Sequence, residues 1–499
     1  MSPNGEKEIK VLGVGFGERP FFKRVLPNYA VYTPRQTRIC IRNMIAKRTG
    51  QKERKILRIK LSDHFTYKKL IRFTLPSVMM MIFTSIYGVV DGIFVSNYVG
   101  KTPFAAINLI MPFLMILGAV GFMIGTGGTA LVALTFGMGD DEKARRIFSL
   151  LVYIVIGAGA VISILGIVFV EPVSRLLGAS DEMLPYCVRY GRVILISLVA
   201  FMLQNVFQSF LVTAEKPTFG LMITVAAGCT NMLLDWLFMA VFEWGITGAA
   251  LATMIAQCIG GLIPLIYFIA PNSSKLRLGR TRFDGRAVVK TCTNGSSEFM
   301  ANISMSVVSM LYNFRLMNIA GENGVSTYGV LMYVNFIFIA AFLGFSVGSA
   351  PVVSFHYGAG NTDELKGLFR KGVRIIGIMS AAMFTLAQIA ARPLANIFVG
   401  YDGELLPMTV HAFRICSFMF LLCGFNVCGS GFFTSLNNGL VSALLSFGRT
   451  LFFQAASVLV LPLFLGLDGI WLSVVAADVL AFVMTLVFIA RNRSRYNYA

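Results

Sequence analysis

Two stretches decide the architecture: GTGGTALVALTFGMG at residues 125–139 and SVGSAPVVSFHYGAG at residues 346–360. Neither holds an acidic residue, a lysine or an arginine, and an ungapped alignment with a constant offset of 221 brings Gly127 onto Gly348, Gly137 onto Gly358 and Gly139 onto Gly360. Extended outward, the same shift brings Gly100 onto Gly321, Gly245 onto Gly466 and Gly248 onto Gly469. Of 17 glycines between positions 100 and 250, six land on glycine, where chance alone would place about 1.6. Pro172 onto Pro393, Asp181 onto Asp402, Thr213 onto Thr434 and Phe148 onto Phe369 obey it too. What coincides is turn punctuation, the part of a sequence that tolerates least change in backbone path. The chain therefore reads as an internal duplication.

The repeated material is apolar. Of the 499 residues, 56% are hydrophobic and 13% charged, about half the charged share of a soluble domain, and the mean hydropathy is +0.73. A helix spanning a hydrocarbon core of about 30 Å needs about 20 mostly apolar residues. Twelve such runs are predicted, over 71–98, 104–136, 147–170, 187–212, 219–242, 247–270, 290–318, 325–356, 372–391, 408–433, 440–464 and 469–490. The expected fold is an all-α polytopic membrane protein with 12 transmembrane helices in two six-helix bundles. Six is even, so both halves start on the same side and the repeats are parallel. The expected divisions are a basic extension over 1–68, disordered or on the membrane surface, and bundles over 69–285 and 286–499.

The net charge of +19 suggests a nucleic-acid binder until it is mapped. Residues 1–72 carry 18 Lys and Arg against 5 Asp and Glu, which puts +13 ahead of the first apolar run. The rest is spread over short connections, so nucleic acid is not an expected partner; the lipid bilayer is. Lys143, Arg145 and Arg146 follow the second run; Lys275, Arg277, Arg280, Arg282, Arg286 and Lys290 flank the seventh; Lys366, Arg370, Lys371 and Arg374 precede the ninth. The opposite connections hold Lys101, Arg175 and Arg392 with Glu243, Glu322, Asp402 and Asp468. Positive residues stay inside, so both termini are expected in the cytoplasm of a multi-pass protein of the plasma (inner) membrane. The stretch 1–70 lacks the apolar core a signal peptide needs. Eight cysteines form no C-x-x-C pair and three histidines are scattered, so neither a disulfide framework nor zinc is indicated.

Ionisable groups inside a span are costly and mark candidate sites. Asp91 precedes Gly100 by nine residues, about 13 Å below the outer end, and Asp235 precedes Glu243 by eight, about 12 Å down. Thr253 follows Gly248 by five, about 8 Å down the returning sixth span. Asn231, four residues before Asp235, lies on the same helix face one turn deeper. Two carboxylates, a hydroxyl and an amide offer oxygen to a hard monovalent cation, or share a proton. The repeat counterparts of Asp91, Asp235 and Thr253 are Tyr312, Ala456 and Val474, so the second half lacks the set. Glu298 in the seventh span either sits at the interface or faces a central cavity. Gln204, Asn205, Gln208 and Gln257 either line a wet cavity or bond helix to helix. Arg449 and Asp478 are expected to serve structure rather than transport, paired either with each other or with backbone near the bundle interior. Gly13-Val14-Gly15-Phe16-Gly17 lacks the spacing of a dinucleotide fingerprint, and no P-loop lysine follows Gly125-Thr126-Gly127-Gly128, so no nucleotide site or other cofactor is expected.

Leu75-Pro76 early in the first span, Val89-Val90-Asp91-Gly92-Ile93-Phe94-Val95 ending at Gly100, Asn231-x-x-x-Asp235, and Gly248-Ala249-Ala250-Leu251-Ala252-Thr253 are similar to the multidrug and toxic compound extrusion (MATE) transporters. The chain most resembles the bacterial branch with its cation site in the N-terminal half, over residues 65–492. The resemblance implies a V-shaped pair of bundles that exports small organic, often cationic, compounds in exchange for H⁺ or Na⁺, not an enzyme and with no metal beyond a possible Na⁺. By position, Asp91, Asn231, Asp235 and Thr253 match that branch's cation ligands and Pro76 the proline where the first helix bends. Gln204, Gln208, Gln257 and Glu298 are candidate substrate-cavity residues, and a monomer is expected. Another branch uses acids in the seventh and tenth helices; here the tenth span holds no carboxylate. A lipid-linked saccharide flippase of the same architecture would be expected to have a more basic cavity. A membrane-embedded enzyme would need a nucleophile with its base, or a metal cluster, at one depth.

Overall fold

The computed structural model describes residues 59–400 and 402–498; the basic extension expected over 1–68 lies outside them except for its last ten residues. The described chain is helical, without a strand. In order, the helices are α1 (Tyr67–Tyr98), α2 (Lys101–Gly137), α3 (Asp141–Leu176), α4 (Leu184–Ile196), α5 (Leu198–Thr213), α6 (Pro217–Asp235), α7 (Gly245–Ile269), α8 (Gly285–Gly358), α9 (Thr362–Val399), α10 (Leu405–Cys416), α11 (Phe420–Ser435), α12 (Gly439–Phe447), α13 (Gln454–Val460) and α14 (Pro462–Tyr496). Ten helical stretches among the described residues are long and apolar enough to cross a bilayer, or eleven if α4 and α5, bent by 52°, form one span. The expected seventh and eighth spans run on as the single α8 of 74 residues, broken at Gly321 (φ 59°, ψ −148°). Only glycine enters that region without cost, so the turn expected there narrows to one residue.

The 221-residue offset recurs in the backbone. Gly100 and Gly321, Gly139 and Gly360, and Gly245 and Gly466 all take positive φ, between 54° and 93°. Asp140 caps α3 by accepting from the Lys143 N–H, and Asn361, its repeat counterpart, caps α9 by accepting from the Glu364 N–H. Buried apolar side chains fall into two principal clusters, one drawn from residues 95–287 and the other from 308–471.

Between the clusters, glycine lets backbone meet backbone. A Cβ on Gly137 would stand 2.0 Å from the Phe355 carbonyl oxygen, and one on Gly358 would stand 2.1 Å from the Leu134 carbonyl oxygen. These are each other's repeat-related contacts, since Phe355 follows Leu134 by the same 221. Likewise Gly127 abuts Thr291 and Gly295 while Gly348 abuts Thr74. The α2 and α8 arms thus cross about a local two-fold axis, at the end carrying the basic connections. Without a hydrophobic drive between helices in lipid, such close approach is a principal source of helix association.

The segment before α1 is held at that same end by both halves. The Leu61 N–H donates to Glu215 Oε1 (2.9 Å), the Phe65 N–H donates to Glu364 Oε1 (2.8 Å), and Lys371 Nζ donates to the Phe65 carbonyl (2.5 Å). Leu61 and Phe65 are buried. Glu215 lies in the turn between α5 and α6, outside the spans, where burial pushes its carboxyl above the ordinary carboxylate range and the Leu61 N–H bond offsets only part of that. A raised carboxyl holds its proton to higher pH in the docked state than when released. Its stabilisation is therefore present at acid pH and is lost as pH rises through the docked value. Hydrogen exchange at the Leu61 amide, corrected for its intrinsic pH dependence, should report more frequent opening as pH rises from acid to neutral. Glu215→Gln keeps an acceptor without the titration and should flatten that slope; an unchanged slope would show that another group controls docking.

Candidate functional site

Asp235 ends the regular part of α6 and is fully buried; the next six residues, Trp236–Val241, form a π-helical turn. Such a turn rotates the following residues about the helix axis and often marks a working site. Asp91, on α1, stands within hydrogen-bonding reach of Asp235. An ionised carboxylate only accepts, so two of them cannot satisfy one another: Asp91 Oδ1 and both Asp235 oxygens have no donor, and buried Asn231 Nδ2, one turn below, has no acceptor. Unpaired buried charge of this kind is expensive unless a proton or a cation stands between the oxygens. The pair expected from depth is therefore brought together by the fold.

Thr253 is half-buried on α7. Gly248 packs on Phe238 at 2.9 Å from its virtual Cβ, which sets the two helices level there. From that level Asp235 lies three residues and Thr253 five residues inward, about 4.5 Å and about 7.5 Å. Thr253 thus lies within about one helical turn of the acid level. Pro76 lies inside α1, which continues through it as one 32-residue helix without a fourth-residue bond at that position.

Three tyrosines that sequence reasoning missed surround the acids. Tyr87, one turn before Asp91 on the same helix, reaches Gln204. Tyr190 of α4 is buried close to both carboxyls. Tyr333, from the second arm of α8, lies close to Asp91 and brings its hydroxyl to 3.2 Å from the virtual Cβ of Gly92. The four-residue spacing to Asp91 could have flagged Tyr87; nothing in the sequence marks the other two, which arrive through tertiary packing.

The other candidates make contacts of their own. Gln204 and Gln208 are buried, and Gly260 approaches the Gln204 side chain at 2.6 Å from its virtual Cβ. Gln257 Oε1 accepts from Ser197 Oγ (2.6 Å), at the bend between α4 and α5. Glu298 is partly buried on the first arm of α8, and among the described residues no basic side chain pairs with it. Arg449 and Asp478 do pair: Arg449 Nε donates to Asp478 Oδ1 (2.6 Å), and Asn426 Nδ2 donates to the same oxygen (3.1 Å). Removing one partner leaves a buried charge uncompensated, which costs about 3–5 kcal/mol. Arg449→Met should lower the thermal midpoint sharply in detergent, and adding Asp478→Leu should restore most of it. If the single change leaves the midpoint untouched, the ion pair is not structural.

Among the described residues, an all-helical array of long apolar stretches with short connections defines a polytopic membrane protein. The MatE family model matches residues 76–237 and 299–458, one segment in each half. The chain belongs to the MatE family and is not an enzyme. It is 23% identical over 436 residues to the multidrug export protein MepA of Staphylococcus haemolyticus (strain JCSC1435), covering 86% of this chain and 94% of that protein. In fold it is similar to a MATE crystal structure in complex with MaL6 (TM-score 0.83, 22% identity, 87% of this chain and 98% of that chain). It is also similar to the outward-facing conformation of a multidrug resistance MATE family transporter of the MOP superfamily (TM-score 0.82, 22% identity, 87% and 98%).

Proposed function

We propose that this chain is a secondary active antiporter that exports small organic, often cationic, compounds in exchange for H⁺ or Na⁺. One observation carries the reading: the buried carboxyl of Asp235 and the half-buried carboxyl of Asp91, from separate helices, stand close together with three of their oxygens lacking a donor. A proton or a Na⁺ between them removes their mutual repulsion, and Asn231 and Thr253 complete an oxygen-rich shell. The export of drugs by similar proteins supports the cargo class, as does Glu298, an acid in the spans with no basic partner among the described residues, which would attract cations. Gln204, Gln208 and Gln257 serve the cavity wall when the bend at Ser197 opens.

In this reading the twelve spans form two six-helix bundles, 69–285 and 286–499, with α4–α5, α10–α11 and α12–α13 as composite spans and α8 as two. Both termini are cytoplasmic, the protein works as a monomer in the plasma membrane, and the cation site in the first half assigns it to the bacterial branch described above. The glycine crossings close the cytoplasmic end, so the acids communicate with the outside. Tyr333 ties the site to the second half: when a cation draws Asp91 toward Asp235, α1 shifts beneath that tyrosine, and the equilibrium between outward and inward access moves by the cation's differential affinity for the two states.

Vesicles reconstituted with the protein and loaded with a cationic dye test this directly. A pure pH gradient or a pure Na⁺ gradient should drive dye movement, and the one that does names the coupling ion. If neither moves any organic cation, the antiport reading fails and a lipid-linked saccharide becomes the better cargo.

A further inference from the structure

The two halves share a backbone plan but not a packed interior. Mainly in the second half, the second arm of α8 with α9, α11 and α14, joined by Leu70 of α1, lines a chamber of about 370 Å³ near the basic end. Phe345, Phe369, Phe425, Phe432 and Phe482 form its walls, and no Asp, Glu, Lys or Arg lines it. Three of its four hydroxyls are spent internally: Ser349 Oγ donates to the Ser346 carbonyl (3.3 Å), Ser435 Oγ to the Gly431 carbonyl (2.8 Å) and Thr485 Oγ1 to Asn426 Oδ1 (3.3 Å).

The 221-residue offset shows how the chamber arises. Gly372, Cys428, Gly431 and Ile489 stand where the first half has Leu151, Phe207, Phe210 and Phe268. There Phe148 meets Phe210 and Phe268, each with ring centroids 4.9 Å apart, and Phe207 stacks on Phe268 at 5.4 Å, all four rings shut off from the surface. In the second half Phe369, the counterpart of Phe148, packs instead on Phe432 and Tyr498. Two glycines and a cysteine thus replace a leucine and two phenylalanines around the same point.

Protein interiors are packed to the density of organic crystals, and an apolar void of this size forfeits contacts on every side. Water does not fill such a void, whereas apolar molecules do. Its volume falls in the range of ligand sites. Val373 of α9 and Leu486 of α14 line the chamber and are 39% and 48% exposed. No extended packing joins α9 to α14, which leaves a side entrance from the lipid phase.

We propose that the second half carries a binding chamber for an uncharged hydrophobic chain or ring, entered laterally between α9 and α14. The ligand chemistry is that of a lipid acyl chain or a neutral lipophile dissolved in the bilayer. The chamber lacks charge and lies in the other half from the acid pair, so it does not depend on the antiport reading.

The test uses the full chain in lipid nanodiscs with two photoreactive probes: a phosphatidylcholine bearing a mid-chain diazirine, and free adamantyl diazirine in discs of ordinary lipid. Adducts are expected on Gly372–Ile376 and Phe425–Phe432, with the exposed Leu165 and Phe169 of α3 as the lipid-facing reference. A Cβ on Gly372 would meet nothing within 4 Å, so Gly372→Leu fits and fills the space. It should cut chamber adducts by at least about tenfold, the effect of losing the burial of about two methylene groups, and leave the reference adducts unchanged. Cys428→Phe fills it from the opposite helix and should do the same. Chamber labelling by the phospholipid identifies lipid as occupant; labelling by adamantyl diazirine alone identifies a dissolved lipophile. No chamber adduct with either probe, or adducts undiminished in both filled variants, overturns the proposal.

Discussion

Asp235→Asn should reduce gradient-driven efflux to the passive leak while the protein remains as stable as the parent or more so. The two effects have one cause. Asp235 is wholly buried beside Asp91, and neither carboxylate can donate to the other, so the empty site carries repulsion that a neutral amide relieves. The same amide removes the charge that a Na⁺ or a proton would neutralise, leaving the outer state without its driving ligand. Asp91→Asn should act alike, and the double variant should lose no more than either single one, because the acids work as a unit. Thermal unfolding separates the coupling ions. If Na⁺ binds, the parent gains stability with rising Na⁺ by the logarithm of occupancy, about 2.7 kcal/mol at a hundred times the dissociation constant, and Asp235→Asn gains none. Efflux at the parent's rate in both single variants would remove the acids from the mechanism, whatever their geometry.

Gly137→Leu should push the basic end of the molecule open. The virtual Cβ already lies 2.0 Å from the Phe355 carbonyl oxygen and 2.9 Å from the Ala359 nitrogen, both backbone atoms that cannot swing aside. Overpacking at such a point costs about 1–3 kcal/mol or more, and each step of about 1.4 kcal/mol shifts a two-state population tenfold. Gly358→Leu should have the same effect, because its contact with the Leu134 carbonyl is the repeat-related copy of the first. Spin labels at Glu142→Cys and Asp363→Cys, placed in a variant whose native cysteines are replaced, sit on opposite halves at that end and at repeat-related positions. Their separation should lengthen in both glycine variants. An unaltered distance distribution with intact transport would mean that this crossing does not gate access.

The second of these results depends on the offset of 221. It was legible because glycine and proline punctuate a backbone path directly, and the positive φ of Gly100, Gly139 and Gly245 recurs at Gly321, Gly360 and Gly466. The expectation of a shared depth for Asp91 and Asp235 has a related basis: a spanning helix advances a constant amount per residue, so distance along the chain is distance through the bilayer. The 52° bend at Ser197 and the π turn after Asp235 were not, because a single extra backbone bond leaves no compositional trace in an apolar run. Nor did the sequence separate α8 into a glycine-broken pair rather than two helices with a loop.

Taken alone, the chain's apolar runs, basic connections and repeated glycines determined that it is a multi-pass helical protein of two related halves, and marked two acids in the first as candidates. Each of these is a one-dimensional property, set by residue spacing against a bilayer of given thickness. Tertiary structure alone decided that those acids face one another, that Tyr190 and Tyr333 close around them, that Gly137 and Gly358 cross reciprocally, and that the second half is hollow where the first is filled. Such facts depend on the azimuth of each helix and on which side chains from distant segments compete for one volume. Many rotations bury comparable area in lipid, and only packing in three dimensions selects among them.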